Sequence, residues 1–389
     1  MITFTNGLVF IDGRWETGID IRVEGGRIIG LEPSGKRSVS QALKDEGAKG
    51  IVDAKGSYIV PGFIDIHVHG SYGADVMDAS IDSLSNISSF LAKHGTSSYL
   101  ATTMTCSVGD IRKSILAVSQ YIKEDNGRGA QILGVHMEGP FINPLVKGAH
   151  DEAHIRAPSV VTFNEIVGDK ADIIRLVTIA PELEGAQGLA AYLRKINTTV
   201  SIGHTGADYE TAKGAIEAGI NHTCHFYNAM TPIRHRQPGL VGAALDNDDS
   251  TIELIADLVH IHPAALRLAY RIKGRDKCVL ITDAMSAAGL SDGLYELGGL
   301  KVYVENGVAR QADGTLAGST LTQDRALQNM VKAGVPLEST ITMLTRTPAK
   351  VIGVDGYKGQ LKKGYDADIV LLDKDLNIKE TYIKGLKQT

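Results

Sequence analysis

Two histidines separated by a single residue form a short motif that could bind a metal ion. They are His67 and His69, in the segment IDIHVHG. Side chains two positions apart on a β-strand point to the same face, and imidazole is a good ligand for zinc or iron. The pair alone decides little, because two buried histidines that are hydrogen-bonded to other groups would show the same spacing.

Four further residues that can bind a metal or transfer a proton each end a stretch of apolar sequence. They are Glu138 in HMEGPF, His204 in SIGHTG, His225 in TCHFYNAM and Asp283 in LITDAM. Taken singly, each has an ordinary explanation, such as a helix cap for a carboxylate or a buried hydrogen bond for a histidine. If the stretches are parallel strands of one closed sheet, however, their carboxyl ends meet at one mouth. We therefore expect these four side chains to converge with the histidine pair.

Eight apolar stretches of strand length alternate with helical patterns in the middle of the chain. The predicted strands are Gly62–His67, Ser97–Thr103, Gln131–Glu138, Ile173–Ile179, Thr199–His204, Asn221–Phe226, Ile252–Val259 and Cys278–Asp283. Eight such strands separated by helices are what a closed parallel (β/α)8 barrel requires. The predicted fold is therefore an α/β protein with a TIM-type barrel, and a doubly wound open sheet is the alternative.

The two ends of the chain differ in character from the middle. Residues 2–60 alternate short β-rich stretches with glycine turns, and the tail from Gly359 is β-like again. We predict that residues 1–60 and 355–389 together form a small β-sandwich domain beside a barrel of residues 61–354. A β-hairpin insertion is expected from Gly293 to Gly314, because Asn306-Gly307 is a strong turn signal.

The overall composition excludes several classes of protein. The 389 residues include 40 Lys plus Arg and 45 Asp plus Glu, so the formal net charge is −5, and no basic block offers the footprint that nucleic-acid phosphates require. No apolar run approaches the ~20 residues of a membrane span, and the N-terminus lacks the pattern of a signal peptide. Three cysteines without CxxC spacing disfavour a thiol-ligated metal. We expect a cytoplasmic protein with neither a nucleic-acid nor a membrane partner.

The motifs together resemble those of the N-acetylglucosamine-6-phosphate deacetylase family of the amidohydrolase superfamily. The matching segments are PGFIDIHVHG, HMEGPF, HTGAD, HFYNAM and LITDAM, and the resemblance covers nearly the whole chain. It implies a (β/α)8 barrel with a flanking β-sandwich, and hydrolysis of the acetamide of N-acetyl-D-glucosamine 6-phosphate to D-glucosamine 6-phosphate and acetate. It also implies a homodimer, in which a residue of the partner could reach the phosphate.

The resemblance further implies a metal centre with one or two ions. Glu138, His204 and His225 would hold the principal ion, and His67 and His69 would supply a second position, which some members of the family lack. Zinc or iron is the expected ion, although histidine and carboxylate ligands also suit cobalt and manganese. Hydantoinase-like relatives use a carboxylated lysine in place of Glu138, and the absence of a lysine from this strand end disfavours that branch.

Amide hydrolysis needs a stronger nucleophile than water and a better leaving group than a bare amine. A divalent ion meets the first need, because it lowers the pKa of its water from 15.7 to about 7. Asp283 would meet the second need as a general base and then a general acid, a contribution of ~10²–10⁴-fold in rate. The alternative role for Asp283 is that of a fixed metal ligand.

Nine further residues match segments with which the family binds its substrate. His150 would hydrogen-bond the substrate and polarise its carbonyl group, Asn228, Ala229 and Arg236 would bind the phosphate, His260 would contact the substrate, and Leu316, Ala317, Gly318 and Ser319 would form a loop that closes over the sugar. Arginine suits phosphate because its planar fork donates two parallel hydrogen bonds. Exposed loop positions are the ordinary explanation for His150 and Arg236.

Three other functions are compatible with the same residues. The chain could deacetylate the galactosamine epimer of the sugar phosphate, or it could be a cyclic amidase or deaminase built on the same scaffold. A third possibility, from a different class, is a metal-stabilised binding protein in which the ion only holds strand ends together. Turnover, and its loss when Asp283 is replaced, would separate the enzymes from the binding protein.

Overall fold

A closed barrel of parallel strands forms the centre of the computed structural model, which describes residues 1–34, 50–124 and 127–389. Within these residues the barrel strands are Phe63–Val68, Thr96–Thr103, Gln131–Glu138, Ile174–Ile179, Thr199–Ile202, His222–Thr223, Thr251–Ile255 and Cys278–Ile281. They are paired in chain order. The sheet closes where the backbone N–H of Asp283 donates to the carbonyl oxygen of His67 at 3.0 Å. The predicted (β/α)8 barrel is thus confirmed, and the open sheet is excluded.

Helices cover the outside of the barrel. In the described ranges the α-helices are Ile81–Lys93, Val108–Lys123, Val160–Val167, Ala186–Lys195, Tyr209–Glu217, Gly239–Asp246, Pro263–Lys273, Gln323–Lys332, Leu337–Leu344 and Arg346–Val351, and the 3₁₀ turns are Val76–Asp78, Pro144–Val146, Glu152–His154 and Ala171–Ile173. The first α-helix begins after Ser80, whose hydroxyl accepts a hydrogen bond from the N–H of Ser83. It buries Leu84, Ile87 and Leu91 against the barrel. None of the described helices is long and apolar enough to cross a membrane.

Strands from both ends of the chain form two packed sheets beside the barrel. As far as the described residues go, one sheet contains Leu386–Lys387, Ile378–Ile383, Ile369–Leu372, Tyr58–Pro61, Leu8–Ile11 and Arg14–Glu16, and the other contains Arg27–Pro33, Ile19–Glu24, Ile2–Thr5 and Ile51–Asp53. Phe4, Val9 and Ile21 share one buried cluster with Ile369 and Tyr382. The predicted β-sandwich of N- and C-terminal segments is confirmed, whereas the boundaries 1–60, 61–354 and 355–389 stay a prediction.

A small antiparallel sheet covers one side of the barrel mouth. Its described strands are Gly293–Leu297, Leu300–Glu305 and Val308–Arg310, and a shorter hairpin of Gly70–Ser71 and Ala74–Asp75 lies below it. The turn at Asn306 and Gly307 has positive φ at both residues, as a tight hairpin requires. A carboxylate oxygen of Asp75 accepts a hydrogen bond from Gly298 N–H at 3.1 Å, which joins the sheet to the loop after the first barrel strand. The expected insertion is therefore present.

Candidate active site

The carboxylate of Glu138 stands between two groups of possible metal ligands. Its Oε1 lies 2.9 Å from Nε2 of His225 and 3.2 Å from Nε2 of His204, and these two nitrogens are 2.9 Å apart. Its Oε2 lies 3.1 Å from Nε2 of His69 and 3.3 Å from Nε2 of His67. The structure thus brings together all five predicted metal ligands, as two groups that share one carboxylate.

Asp283 belongs to the group on the Oε2 side of Glu138. Its Oδ1 lies 3.2 Å from Nε2 of His69 and 3.4 Å from Nε2 of His67. Asp283 is 8% exposed, whereas both histidines are almost completely buried. Asp283 therefore faces the cavity while it touches both imidazoles, a position compatible with proton transfer and with metal ligation.

The two groups fit divalent metal ions by their chemistry and by their spacing. Ligands at ~2.1 Å from one ion in a tetrahedral arrangement are about 3.4 Å from one another. The distances within each group, 2.9–3.2 Å on the Oε1 side and 3.1–3.4 Å on the Oε2 side, are close to this value. Imidazole nitrogen and carboxylate oxygen are ordinary ligands for such ions. The residues fit one ion or two, with Glu138 shared between the positions.

Burial and ion pairing together set the charges in this cluster. Burial would raise the pKa of Glu138, but His67, His204 and His225 outweigh it and hold this pKa well below its ordinary value. Burial likewise opposes the ionisation of Asp283, yet His67 and His69 lower its pKa. Both carboxylates are therefore anionic at neutral pH, which favours a cation between them.

The backbone turns sharply where the ligands leave their strands. His204, His225 and Asp283 have φ values of +47°, +22° and +51°. A positive φ is uncommon for residues with a side chain, and such strain is concentrated at functional sites. These turns also explain why the strands end at Ile202 and Thr223, earlier than the predicted ends at His204 and Phe226.

Two of the histidines are fixed through the ring nitrogen that faces away from the cluster. Nδ1 of His67 lies 3.1 Å from Oε2 of Glu253, and Nδ1 of His204 lies 3.1 Å from the carbonyl oxygen of Val146. Because each partner is an acceptor, each Nδ1 keeps its proton, and Nε2 is the nitrogen that would bind an ion. Among the described residues, the Nδ1 atoms of His69 and His225 have no such partner.

A cavity of about 370 Å³ opens above the cluster. Six of the predicted substrate-binding residues line it, namely His150, Asn228, Ala229, His260, Leu316 and Gly318. A Cβ at Gly318 would lie 3.1 Å from the carbonyl oxygen of Asp283, which is a tight contact, and the φ of +61° at this residue also favours glycine. The cavity is large enough for a small polar substrate, with the metal ligands at its base.

Three predicted substrate-binding residues lie outside the described lining of this cavity. Ala317 and Ser319 are buried, and the hydroxyl of Ser319 donates to the carbonyl oxygen of Thr282 instead. Arg236 is exposed and lines a different surface cavity, because a tight turn pairing Arg234 with Gln237 directs this loop outwards. Arg236 thus lies outside the cavity of its own chain, and its role in phosphate binding stays a prediction.

Several buried polar residues near the cluster were not predicted from the sequence to belong to the site. Glu253 contacts His67, and His136 lies with its ring centroid 4.6 Å from that of His67. Asp65 accepts a hydrogen bond from the Thr282 hydroxyl at 2.6 Å, and burial raises its pKa to about 7. Each charged residue lies within an apolar strand, and that contrast is the signal by which Asp65 and Glu253 could have been found.

The fold and the site define a metal-dependent hydrolase. The model of the amidohydrolase family matches residues 58–387, and the chain belongs to this family.

Three proteins with named activities resemble the chain over most of its length. The N-acetylglucosamine-6-phosphate deacetylase of Bacillus subtilis is 40% identical over 345 residues, which cover 88% of this chain and 87% of the relative. The N-acetylgalactosamine-6-phosphate deacetylase of Escherichia coli O157:H7 is 37% identical over 95% of each chain. The crystal structure of N-acetylglucosamine-6-phosphate deacetylase from Pasteurella multocida is 31% identical, with a TM-score of 0.92 over 100% of this chain and 99% of that one.

Proposed function

We propose that this protein hydrolyses the acetamide of N-acetyl-D-glucosamine 6-phosphate to D-glucosamine 6-phosphate and acetate. The observation that carries the proposal is the buried cluster in which Glu138 joins two ligand groups at the base of a cavity. The deacetylases of Bacillus subtilis and Pasteurella multocida, which resemble the chain over nearly its whole length, support the choice of substrate. The reaction belongs to amino-sugar catabolism and cell-wall recycling.

Glu138, His204 and His225 would hold one divalent ion, and His67 and His69 would hold a second against the other oxygen of Glu138. A bound divalent ion supplies a lowered water pKa, near 7, and polarisation of a carbonyl oxygen. We propose zinc or iron, because imidazole and carboxylate suit both.

Asp283 is the residue placed to move the proton. Its lowered pKa keeps the carboxylate free to accept a proton from the attacking water. The protonated carboxyl group then delivers that proton to the departing nitrogen, which leaves as a neutral amine. The cavity lining includes Asp283, so the same group can reach the water and the leaving nitrogen without a change of fold.

His150 is placed to donate a hydrogen bond to the acetyl oxygen. Its Nδ1 accepts a hydrogen bond from the backbone N–H of Thr105 at 3.3 Å, so the proton of the neutral ring is on Nε2. Burial, together with the charge of His204, holds the pKa of His150 well below its ordinary value. A neutral Nε2–H at the base of the cavity stabilises negative charge that develops on the carbonyl oxygen.

The phosphate end of the substrate requires donors at the rim of the cavity. Asn228, Ala229 and His260 line the cavity, and His260 is held by Asp257. Arg236 is exposed outside its own cavity, and we propose a homodimer in which this arginine reaches the phosphate in the partner's cavity. We place the enzyme in the cytoplasm, since its substrate is a charged metabolite and its three cysteines are free.

The galactosamine epimer is the second candidate substrate. The relative from Escherichia coli O157:H7, named for that epimer, covers 95% of this chain at 37% identity. The epimers differ only at the 4-hydroxyl, and one hydrogen bond to a hydroxyl can separate two substrates by a large factor.

Acetate release from both epimers tests the proposal. Purified protein loaded with Zn²⁺ or Fe²⁺ should release acetate from the glucosamine epimer with the higher kcat/KM, and chelation should abolish this activity. Faster turnover of the galactosamine epimer would favour the second candidate. Ammonia in place of acetate would indicate a deaminase, and no turnover with any metal would leave the binding protein as the remaining class.

A further inference from the structure

A second carboxylate is buried in the barrel below the proposed metal site. Glu253 lies in the strand Thr251–Ile255 between Ile252 and Leu254, and it is 0% exposed. It does not belong to the described lining of the cavity, so it does not contact the substrate. An ionised carboxylate at such a position costs several kcal/mol unless hydrogen bonds and opposite charges compensate for it. Its partners therefore indicate why it is there.

Glu253 contacts a ligand from each of the two groups. Its Oε2 lies 3.1 Å from Nδ1 of His67 and accepts a hydrogen bond from the backbone N–H of His225 at 3.0 Å. Its Oε1 lies 2.9 Å from Nε2 of His222, which is not one of the proposed ligands. A single oxygen of Glu253 thus contacts both His67 and His225, one proposed ligand from each group.

We propose that Glu253 is a positioning residue for both metal positions, an inference that rests on the proposed function. The acceptor at Nδ1 fixes the proton of His67 on that nitrogen, so Nε2 presents its lone pair to the ion. The same oxygen holds the N–H of His225, whose φ of +22° is unfavourable without such support. Partners of this kind orient metal-binding histidines, and their loss typically costs 10–100-fold in metal affinity.

A purely structural role is the alternative, and His222 distinguishes it. If Glu253 only fills a buried space, its contacts to His222 and to His67 are equivalent, and replacing either end of the network should perturb the protein to the same degree. If Glu253 orients ligands, removal of its carboxylate changes the metal site, whereas removal of the His222 ring does not. His222→Gln is therefore the matched control variant.

The decisive variant is Glu253→Gln, which keeps the volume and one oxygen but loses the charge. One amide oxygen can still accept from His67, yet a neutral acceptor makes the imidazole a weaker ligand. Glu253→Ala removes the acceptor altogether. Glu253→Asp shortens the side chain by one methylene, and we expect it to fail as a substitute because it withdraws the carboxylate from His67.

Metal binding is measured without reference to turnover. We expect Glu253→Gln and Glu253→Ala to release Zn²⁺ to a competing chelator at 10–100-fold lower chelator concentration than the wild type. We also expect an altered visible spectrum of the Co²⁺-substituted protein, because this spectrum reports ligand geometry. His222→Gln should match the wild type in both. Circular dichroism of each variant establishes that it is folded, and Glu253→Gln decides the test if the alanine variant does not fold.

The proposal would be overturned if folded Glu253→Gln released Zn²⁺ at the same chelator concentration as the wild type and gave the same Co²⁺ spectrum. The same perturbation in His222→Gln and Glu253→Gln would also overturn it, in favour of the structural role. Failure of the proposed function can be told apart from failure of this inference, because it would be seen in the wild-type protein and not only in the variants. Wild-type protein that binds Zn²⁺ but releases no acetate contradicts the deacetylase alone, whereas wild-type protein that binds no divalent ion contradicts both proposals.

Discussion

The backbone N–H of Asp283 donates to the carbonyl oxygen of His67 at 3.0 Å, so one hydrogen bond closes the barrel and joins two residues of the site. The side chains of the same two residues also meet, with Oδ1 of Asp283 3.4 Å from Nε2 of His67. The carboxylate is therefore positioned by the closure of the sheet itself. Sites supported by strands keep their geometry better than sites on loops.

Asp283→Asn should abolish most of the turnover while the protein still folds and binds metal. The amide has nearly the same shape, but it cannot accept and then deliver the proton. We expect kcat to fall by ~10²–10⁴-fold, with at least the ion held by His204 and His225 retained. Acetate release and elemental analysis of the same preparation test this. Retained turnover would show that another group carries the proton.

Replacing one histidine in each ligand group should separate the two metal positions. His204→Asn and His69→Asn each remove one ligand from one side of Glu138, so each should lower the bound metal by one ion per chain where the wild type holds two. Glu138→Gln should lower both, because its two oxygens serve both groups. His94→Asn is the matched control, since His94 is hydrogen-bonded to Asp324 at the end of the helix Ile81–Lys93. Elemental analysis after dialysis gives the counts. Equal loss in the three ligand variants, with none in His94→Asn, would contradict two positions.

The sequence was sufficient to predict the barrel and the convergence of its ligands for a simple reason. Parallel strands in a barrel all end at one mouth, so residues such as Glu138 and His225, 87 positions apart, must meet if both end strands. The inference needed only the alternation of apolar strands with helices. Strand ends were less predictable, because the positive φ of His204 and His225 depends on tertiary contacts.

Glu253 and Arg236 show what the sequence could not decide. Glu253 belongs to the apolar run TIELIA, and its partner His67 is 186 positions away, so no local pattern indicates the pair. Arg236 lies in a segment that matches a phosphate-binding motif, yet the direction of its loop depends on a turn between Arg234 and Gln237. Motifs predict residue types at a site, whereas the orientation of a loop depends on the folded structure.

Asp257→Asn should weaken substrate binding more than it slows chemistry. Oδ2 of Asp257 lies 2.6 Å from Nδ1 of His260. Oδ1 of Asp257 accepts a hydrogen bond from the backbone N–H of His260 at 2.8 Å. The asparagine amide keeps only one of these acceptors, so the His260 ring loses its fixed orientation at the cavity. We expect KM to rise about 10-fold, with kcat changed less than threefold. Steady-state kinetics give both values, and an unchanged KM would exclude this role for Asp257.

His150→Phe should lower kcat without removing metal. The ring fills a similar volume but has no Nε2–H to donate to the acetyl oxygen, and loss of one such donor costs ~10²–10³-fold in kcat. The backbone N–H of Thr105 also loses its acceptor, which destabilises the fold by about 1–3 kcal/mol. Rapid-quench measurement of the first turnover, compared with thermal unfolding, separates the two effects. A loss of stability with an unchanged first turnover would place His150 outside the chemistry.

Asp75 should make the stability of the metal-free protein depend on pH in a defined interval. Burial raises the pKa of this carboxyl group from its ordinary value of 3.8 to about 6, although hydrogen bonds from Met77 and Gly298 act in the opposite direction. Between pH 4 and 6 the folded chain therefore binds more protons at Asp75 than the unfolded chain does. The contribution of Asp75 to the free energy of unfolding is fully present below pH 4, is lost as the pH rises through 6, and is constant above that.

Asp75→Asn removes this titration, so the comparison with the wild type isolates it. The difference in unfolding free energy, wild type minus variant, should fall by about 2 kcal/mol between pH 4 and pH 7. Urea titrations of both metal-free proteins at intervals across this range provide the measurement. Asparagine can still accept one of the two backbone hydrogen bonds, which adds an offset but no slope. Parallel pH profiles for the two proteins would mean that Asp75 is ionised in the folded chain throughout, and that the hydrogen bonds from Met77 and Gly298 outweigh its burial.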